Sequence, residues 1–253
     1  MKKNRSILVT LVVALLTSFT MGAQETSYDV KVGDFEILIV KDNINVQYVQ
    51  DASKAGHVTF KSTKKVADCL IFSNNGKGKL KIETMADLLP KEGKTPVLTV
   101  YSSDLHWCEN DADSTLVIES PIKRDEFGAR LVGNGKIVVK SVAVDRLRLN
   151  SVTGAGTITA QGKTGLLNTR VLGSAVVDAL DVVATSVNAH TTGTGTIKCS
   201  VNGGDLKVKG SGTLYYKGTP AIIKRRKILG SLEVVSLDNP EQGKDAKKEE
   251  KKK

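Results

Sequence analysis

Apolar residues in this chain recur in pairs two positions apart, and the pairs themselves return about every twenty residues through the C-terminal half. The first members are Leu116, Ile137, Ile158, Val177, Ile197, Leu214 and Leu232; the second are Ile118, Val139, Ala160, Ala179, Cys199, Tyr216 and Val234. A spacing of two in a short run puts both side chains on one face of a β-strand. Four residues before each first member lies a small-residue bend: Gly133-Asn134-Gly135, Gly154-Ala155-Gly156, Gly173-Ser174-Ala175, Gly193-Thr194-Gly195 and Gly210-Ser211-Gly212, with weaker copies at Ala112-Asp113-Ser114 and Ile228-Leu229-Gly230. The leading positions stand 21, 21, 19, 20, 17 and 18 residues apart. Just ahead of the bends, Leu131, Val152, Val171, Thr191 and Val208 predict a further apolar column.

A unit of about twenty residues cannot bury its apolar face alone, so such units must stack and share a core. The pattern therefore predicts an all-β parallel β-helix of about seven rungs, each strand, tight bend, strand. Glycine suits the bend because it reaches backbone angles that other residues avoid. A phosphate-binding reading of these glycines fails, since it requires a helix to start directly after them and here strand residues follow.

Ahead of the repeats the same alternation predicts two hairpins. One joins Phe35–Ile39 to Ile44–Tyr48 around Lys41-Asp42-Asn43; the other brackets Asn74-Asn75-Gly76-Lys77-Gly78 between Cys69–Phe72 and Leu80–Ile82. A strand at Val97–Tyr101 follows. This region, residues 35–101, is expected to act as a cap or subdomain ahead of solenoid repeats at 102–237.

Residues 1–23 combine Lys2, Lys3 and Arg5 with an apolar stretch from Ile7 to Phe19 and small residues at Gly22 and Ala23, the order of an export signal and too short for a membrane span. A linker at 24–34 would follow. Residues 238–253 form a charged tail too poor in apolar residues to order itself. The formal charge of +10 owes much to the ends: without the three cations of the signal and the six lysines and four acids after residue 240, 28 basic residues face 23 acidic ones. Such a balance implies no nucleic-acid partner. The one basic run inside the folded part is Lys224-Arg225-Arg226-Lys227. It is either a place for an anionic ligand or a charged edge that discourages strand pairing between molecules.

The order of these features resembles a bacterial family, the putative auto-transporter adhesins with a head GIN domain. The resemblance is carried by the signal, Phe35-Glu36-Ile37 with Ile44-Asn45-Val46, Gly78-Lys79-Leu80-Lys81-Ile82, Val97-Leu98-Thr99-Val100-Tyr101, and the glycine repeats ending in Gly210-Ser211-Gly212-Thr213-Leu214-Tyr215-Tyr216-Lys217-Gly218. It implies an exported β-helical protein and transfers no catalytic or ligand residues. The weak repeats at Ala112-Asp113-Ser114 and Ile228-Leu229-Gly230 depart from the pattern at the terminal rungs.

Candidate chemistry is thin. Between Gly133 and Gly218 the carboxylates are Asp145, Asp178, Asp181 and Asp205 and the histidine is His190, at unrelated offsets, with Asp178 and Asp181 alone close together and reading as solvated strand-end residues. Glycosidase or lyase chemistry needs converging groups. His57 and His106 lack ligand spacing for zinc, and Glu109, Asp111 and Asp113 lack the glycine-aspartate repeat of calcium-binding rolls. Cys199 reads as a small buried residue, and Cys69 with Cys108 as a candidate bridge. Trp107 reads as packing or as a sugar-stacking ring. No catalytic, metal or cofactor site is therefore expected. Thr157, Thr159, Thr194, Thr196, Lys198, Ser211 and Thr213 suggest a polar face for glycan or a cell-surface protein. The expectation is an exported, noncatalytic, adhesion-type or structural scaffold of the cell envelope, in the periplasm, at the outer surface or outside the cell, compatible with a homo-oligomer. The alternatives are a glycan-binding module and, further off, a polysaccharide lyase.

Overall fold

The structure, a computed structural model, describes residues 25–85 and 95–239. The expected signal at 1–23 and all but the first two residues of the expected tail lie outside the described residues.

The repeats form one continuous ladder. Strands β8 (Trp107–Asp111), β9 (Thr115–Ile118), β10 (Ile122–Val132), β11 (Lys136–Thr153), β12 (Thr157–Gly173), β13 (Val176–Gly193), β14 (Thr196–Val201), β15 (Asp205–Lys217) and β16 (Ile222–Ser236) pair in parallel, each with the strands about one period away. The result is a β-solenoid of about six turns. Within β11 the chain runs straight over Lys136–Val139, breaks register before Val142, and then shows two successive exposed residues, Asp145 and Arg146. Alternation requires one residue in and one out, so two outward in a row mark a corner. Asp145 drops out of the pairing there, as do Asp125, Gly165 and Thr185 on neighbouring rungs.

The core follows the predicted column. Leu116, Ile137, Ile158, Val177, Ile197 and Leu214 stack in register and are wholly buried. Cys199 continues Val139, Ala160 and Ala179. A column absent from the expectations, Phe127, Leu147, Leu167, Val187 and Leu206, lines the core from the stretch beyond the corner. The bends also behave as expected: the leading glycines 133, 154, 173, 193 and 210 all have φ between 82 and 117°. Such angles strain any residue with a Cβ.

Three expectations need correction. Val152 is half-exposed and Ser151 takes its inward place, because a bulge between Leu131 and Val132 shifts the pairing; Val208 lines up with Ala189 rather than Thr191. In the last rung Leu214 pairs with Val234 and Tyr216 with Ser236, two residues later than expected, so Gly230 takes the leading place of the bend. The first N-terminal hairpin does not form either. β2 (Ile37–Lys41) pairs in parallel with β6 (Lys79–Thr84) and β8, while β3 (Val46–Gln50) pairs in parallel with β7 (Leu98–Ser102) and β9. The segment around Asp42 is thus a corner of a rung whose partners are distant in sequence.

The second hairpin does form, between β5 (Leu70–Asn74) and β6. β1 (Thr26–Lys31) pairs antiparallel with β4 (His57–Ser62), and β4 antiparallel with β7. These antiparallel strands and a short helix, α1 (Lys64–Ala67), finish the N-terminal end of the ladder. At the other end β16 pairs with β15 alone.

Candidate functional site

The last straight stretch of each rung, ahead of the glycine bend, carries two outward columns separated by an inward one. Its inward residues are Ala129, Leu149, Thr169, Ala189 and Val208, all buried. On one side stand Trp107, Gly128, Arg148, Asn168, Asn188, Lys207 and Lys224 in register; on the other, Glu109, Arg130, Asn150, Arg170, His190, Lys209 and Arg226. Parallel pairing spaces successive members by about 4.8 Å. Over the C-terminal rungs the surface dips into an open concavity of about 450 Å³ lined by both columns from Asn150 to Arg226.

The two columns begin with compensated charge. Glu109 meets Arg130 at 3.3 Å, and Glu126 meets Arg146 at 3.3 Å and Arg148 at 2.9 Å. In the second column compensation stops at Arg170. Among the described residues Arg170, Lys209 and Arg226 make no ion pair, and the one acid on the patch, Asp205, lies 3.2 Å from Lys207 and 4.0 Å from Lys224. His190, between Arg170 and Lys209, is held below the ordinary imidazole pKa, first by burial and then by those two cations. Asn188 donates to the side-chain oxygen of Asn168 at 3.1 Å, which leaves amide groups of both facing solvent.

Lys224, Arg225, Arg226 and Lys227 all lie exposed on β16. They divide as alternation requires: Lys224 and Arg226 extend the outward columns, while Arg225 and Lys227 stand beneath the inward Val208 and Gly210. The run is thus both the end of the cationic face and the charged rim of the last strand. Sequence reading isolated it because the four are adjacent. Arg170 and Lys209 were missed, and His190 was weighed only as a catalytic candidate, because the three lie about twenty residues apart and outside the apolar phase; stepping the period at every phase, rather than at the apolar phase only, aligns them.

The scattered acids stay apart. Asp145 and Asp181 are exposed, the former at a corner, while Asp178 pairs with Lys198 of the next rung at 3.2 Å. Glu109, Asp111 and Asp113 are engaged separately: Asp111 with Lys41 at 2.9 Å, and Asp113 with the backbone and side-chain nitrogens of Asn134 at 3.0 and 3.1 Å. His57 lies 2.7 Å from Asp29 and His106 3.6 Å from Glu36. No three His, Cys, Asp or Glu among the described residues are grouped so as to hold a metal ion.

Cys108 and Cys199 are buried thiols, and burial pushes Cys199 up to about 12. Cys69 directs its thiol at the Lys65 carbonyl, 3.2 Å away, and is not bridged to Cys108. Trp107 is half-exposed, and its ring occupies the space a Cβ on Gly128 would need. Of the polar face, Thr157, Thr159, Thr196, Lys198 and Thr213 are half-exposed and Thr194 is exposed. Ser211 is buried instead, its hydroxyl accepting from Gly193 N at 2.9 Å and donating to Gly193 O at 3.1 Å.

A family described as "Putative auto-transporter adhesin, head GIN domain" matches residues 34–220. Among solved structures, a putative adhesin from Bacteroides fragilis is similar at 19% identity with a TM-score of 0.76, covering 85% of this chain and 98% of that one. A putative lipid binding protein from Parabacteroides distasonis is similar at 18% identity and a TM-score of 0.67, with 84% and 96% covered. A putative adhesin from Parabacteroides merdae is similar at 17% identity and a TM-score of 0.62, with 85% and 96% covered. At these identities the likeness concerns the fold. No curated protein matches the chain.

Proposed function

The chain belongs to the putative auto-transporter adhesin family with a head GIN domain, and from that membership we propose that it is an exported, noncatalytic scaffold of the cell envelope that binds through its long side faces. One observation carries the reading. The acids and the histidine of the glycine repeats do not converge: Asp145 and Asp181 stand exposed, Asp178 and Asp205 are paired with Lys198 and Lys207, and His190 faces Arg170 and Lys209, whereas outward polar columns run across the rungs. Catalysis needs groups that converge on one atom, while distributed adhesion needs a repeated surface. A glycan-binding module is the closest variant of the same idea, favoured by the paired Asn168 and Asn188 amides beside the open concavity.

Export and binding can be tested together. Mass measurement of the mature chain should give an N-terminus near Gln24, and the purified chain should be retained on intact cell-surface fractions. A mature chain that keeps Met1 would refute export. Failure to be retained on any surface fraction would refute the binding role.

A further inference from the structure

Charges that face each other across neighbouring rungs are, over most of this molecule, opposite: Lys41 with Asp111, Glu109 with Arg130, Glu119 with Lys140, Glu126 with Arg146, Asp178 with Lys198. Directly opposed like charges on adjacent strands are destabilising. Lys209 directly opposes Arg226, and Arg170 stands one rung beyond His190, with no acid facing the column among the described residues; His190, held below the ordinary imidazole pKa, is neutral at pH 7 and gains charge as pH falls. Resting on the scaffold reading above, we propose that this column binds a linear polyanionic polysaccharide, one bearing a carboxylate or sulfate on successive sugars, laid across the rungs.

The spacing favours that ligand. Strands in a ladder repeat at about 4.8 Å, close to the advance of one sugar in an extended polysaccharide, so anions along the glycan meet Arg170, Lys209 and Arg226 at whole multiples of the rung spacing, with the His190 ring between the first two. The adjacent column supplies what a sugar's hydroxyls require. Asn168 and Asn188, joined by one hydrogen bond at 3.1 Å, keep further donors and acceptors free, and the Asn150 side chain makes no hydrogen bond among the described residues. Toward the N-terminal end the half-exposed Trp107 ring lies over Gly128, an apolar surface of the kind sugar rings stack on. Duplex DNA is disfavoured because nothing here projects into a groove, and single strands because no aromatic rings lie among the cations. Among the described residues only Asp205 offsets the patch, and it touches Lys207 and Lys224 rather than the column itself.

The test is a titration of the purified chain with oligogalacturonates of increasing length, with heparin oligosaccharides as the sulfated counterpart. Controls are fully methyl-esterified oligogalacturonate, phosphatidylglycerol vesicles and duplex DNA. Affinity should rise with length over the first several sugars and fall with salt. The double variant R170Q/K209Q should lose about tenfold in affinity while its melting temperature stays level or rises, because repulsion has been removed. The charge-matched double K61Q/K163Q, on other surfaces, should bind as the original chain does.

Equal binding of the esterified oligomer, equal loss in K61Q/K163Q, or tighter binding of vesicles or DNA than of both glycans would each overturn the proposal. If the chain is retained on cell-surface fractions yet binds neither glycan, this ligand is wrong and the scaffold reading stands. Failure on both counts removes the two together.

Discussion

At Gly156 the constraint is space rather than torsion. A Cβ there would stand 2.5 Å from Gly135 O and 2.7 Å from Leu131 Cδ2, atoms of the rung beneath. Gly156→Ala should therefore cost on the order of 1–3 kcal/mol in urea denaturation, and a negligible loss would mean the rungs are free to separate. The inward–outward assignment has its own test at neighbouring residues. Ile197 is wholly buried and Thr196 half-exposed, so Ile197→Asp should destabilise by several kcal/mol and Thr196→Asp by about half a kcal/mol or less. Equal losses would contradict the register. His190 adds a pH dependence. Burial, then Arg170 of β12 and Lys209 of β15, hold its folded pKa below the ordinary 6.5. The folded chain thus binds protons less readily than the unfolded one, and this contribution to stability is complete above the unfolded pKa and lost as pH falls toward the folded value. Denaturation midpoints of the original chain and His190→Gln should diverge below about pH 6.5, with the variant falling less. A polyanion along the column would raise that pKa, so its binding should tighten over the same descent in pH.

At the scale of the element, β16 is the exposed edge of the ladder, with Ile222, Ile223 and Ile228 exposed beside its four cations. Unpaired edges invite association between molecules, and positive charge discourages it. Replacing Arg225 and Lys227 by Thr should make the chain self-associate, read by light scattering as a rise in mass with concentration beyond that of the original chain; an unchanged mass would show that the edge is guarded otherwise. Strands also show where sequence reading succeeds. The column from Leu116 to Leu214 was legible because apolar residues recur at one phase beside a glycine bend. Val152 was misplaced because a bulge shifts register by one and flips every following side chain. The segments Phe35–Ile39 and Ile44–Tyr48 read as a hairpin because alternation records burial and not the partner, which for β2 is β8, about 70 residues away. Arg170, His190 and Lys209 went ungrouped because a polar residue outside the apolar phase looks like any solvated one until the period is stepped through its own phase.

Across the whole molecule, stability should be graded along the stack, since each rung touches only its neighbours. The N-terminal end is finished by antiparallel strands, whereas the far end presents β16 with one partner. Amide hydrogen exchange should show β16 opening first and β11 to β13 last, and uniform protection would argue against a stack of semi-independent units. The same architecture spreads function over many rungs rather than gathering it at one point. The most direct measurement incubates the chain with cell-surface polysaccharide and sizes the glycan recovered from the complex. The account predicts retained glycan of undiminished length. Shortened chains, restored to full length by one substitution such as His190→Ala in a variant that still folds, would contradict it and make the protein an enzyme.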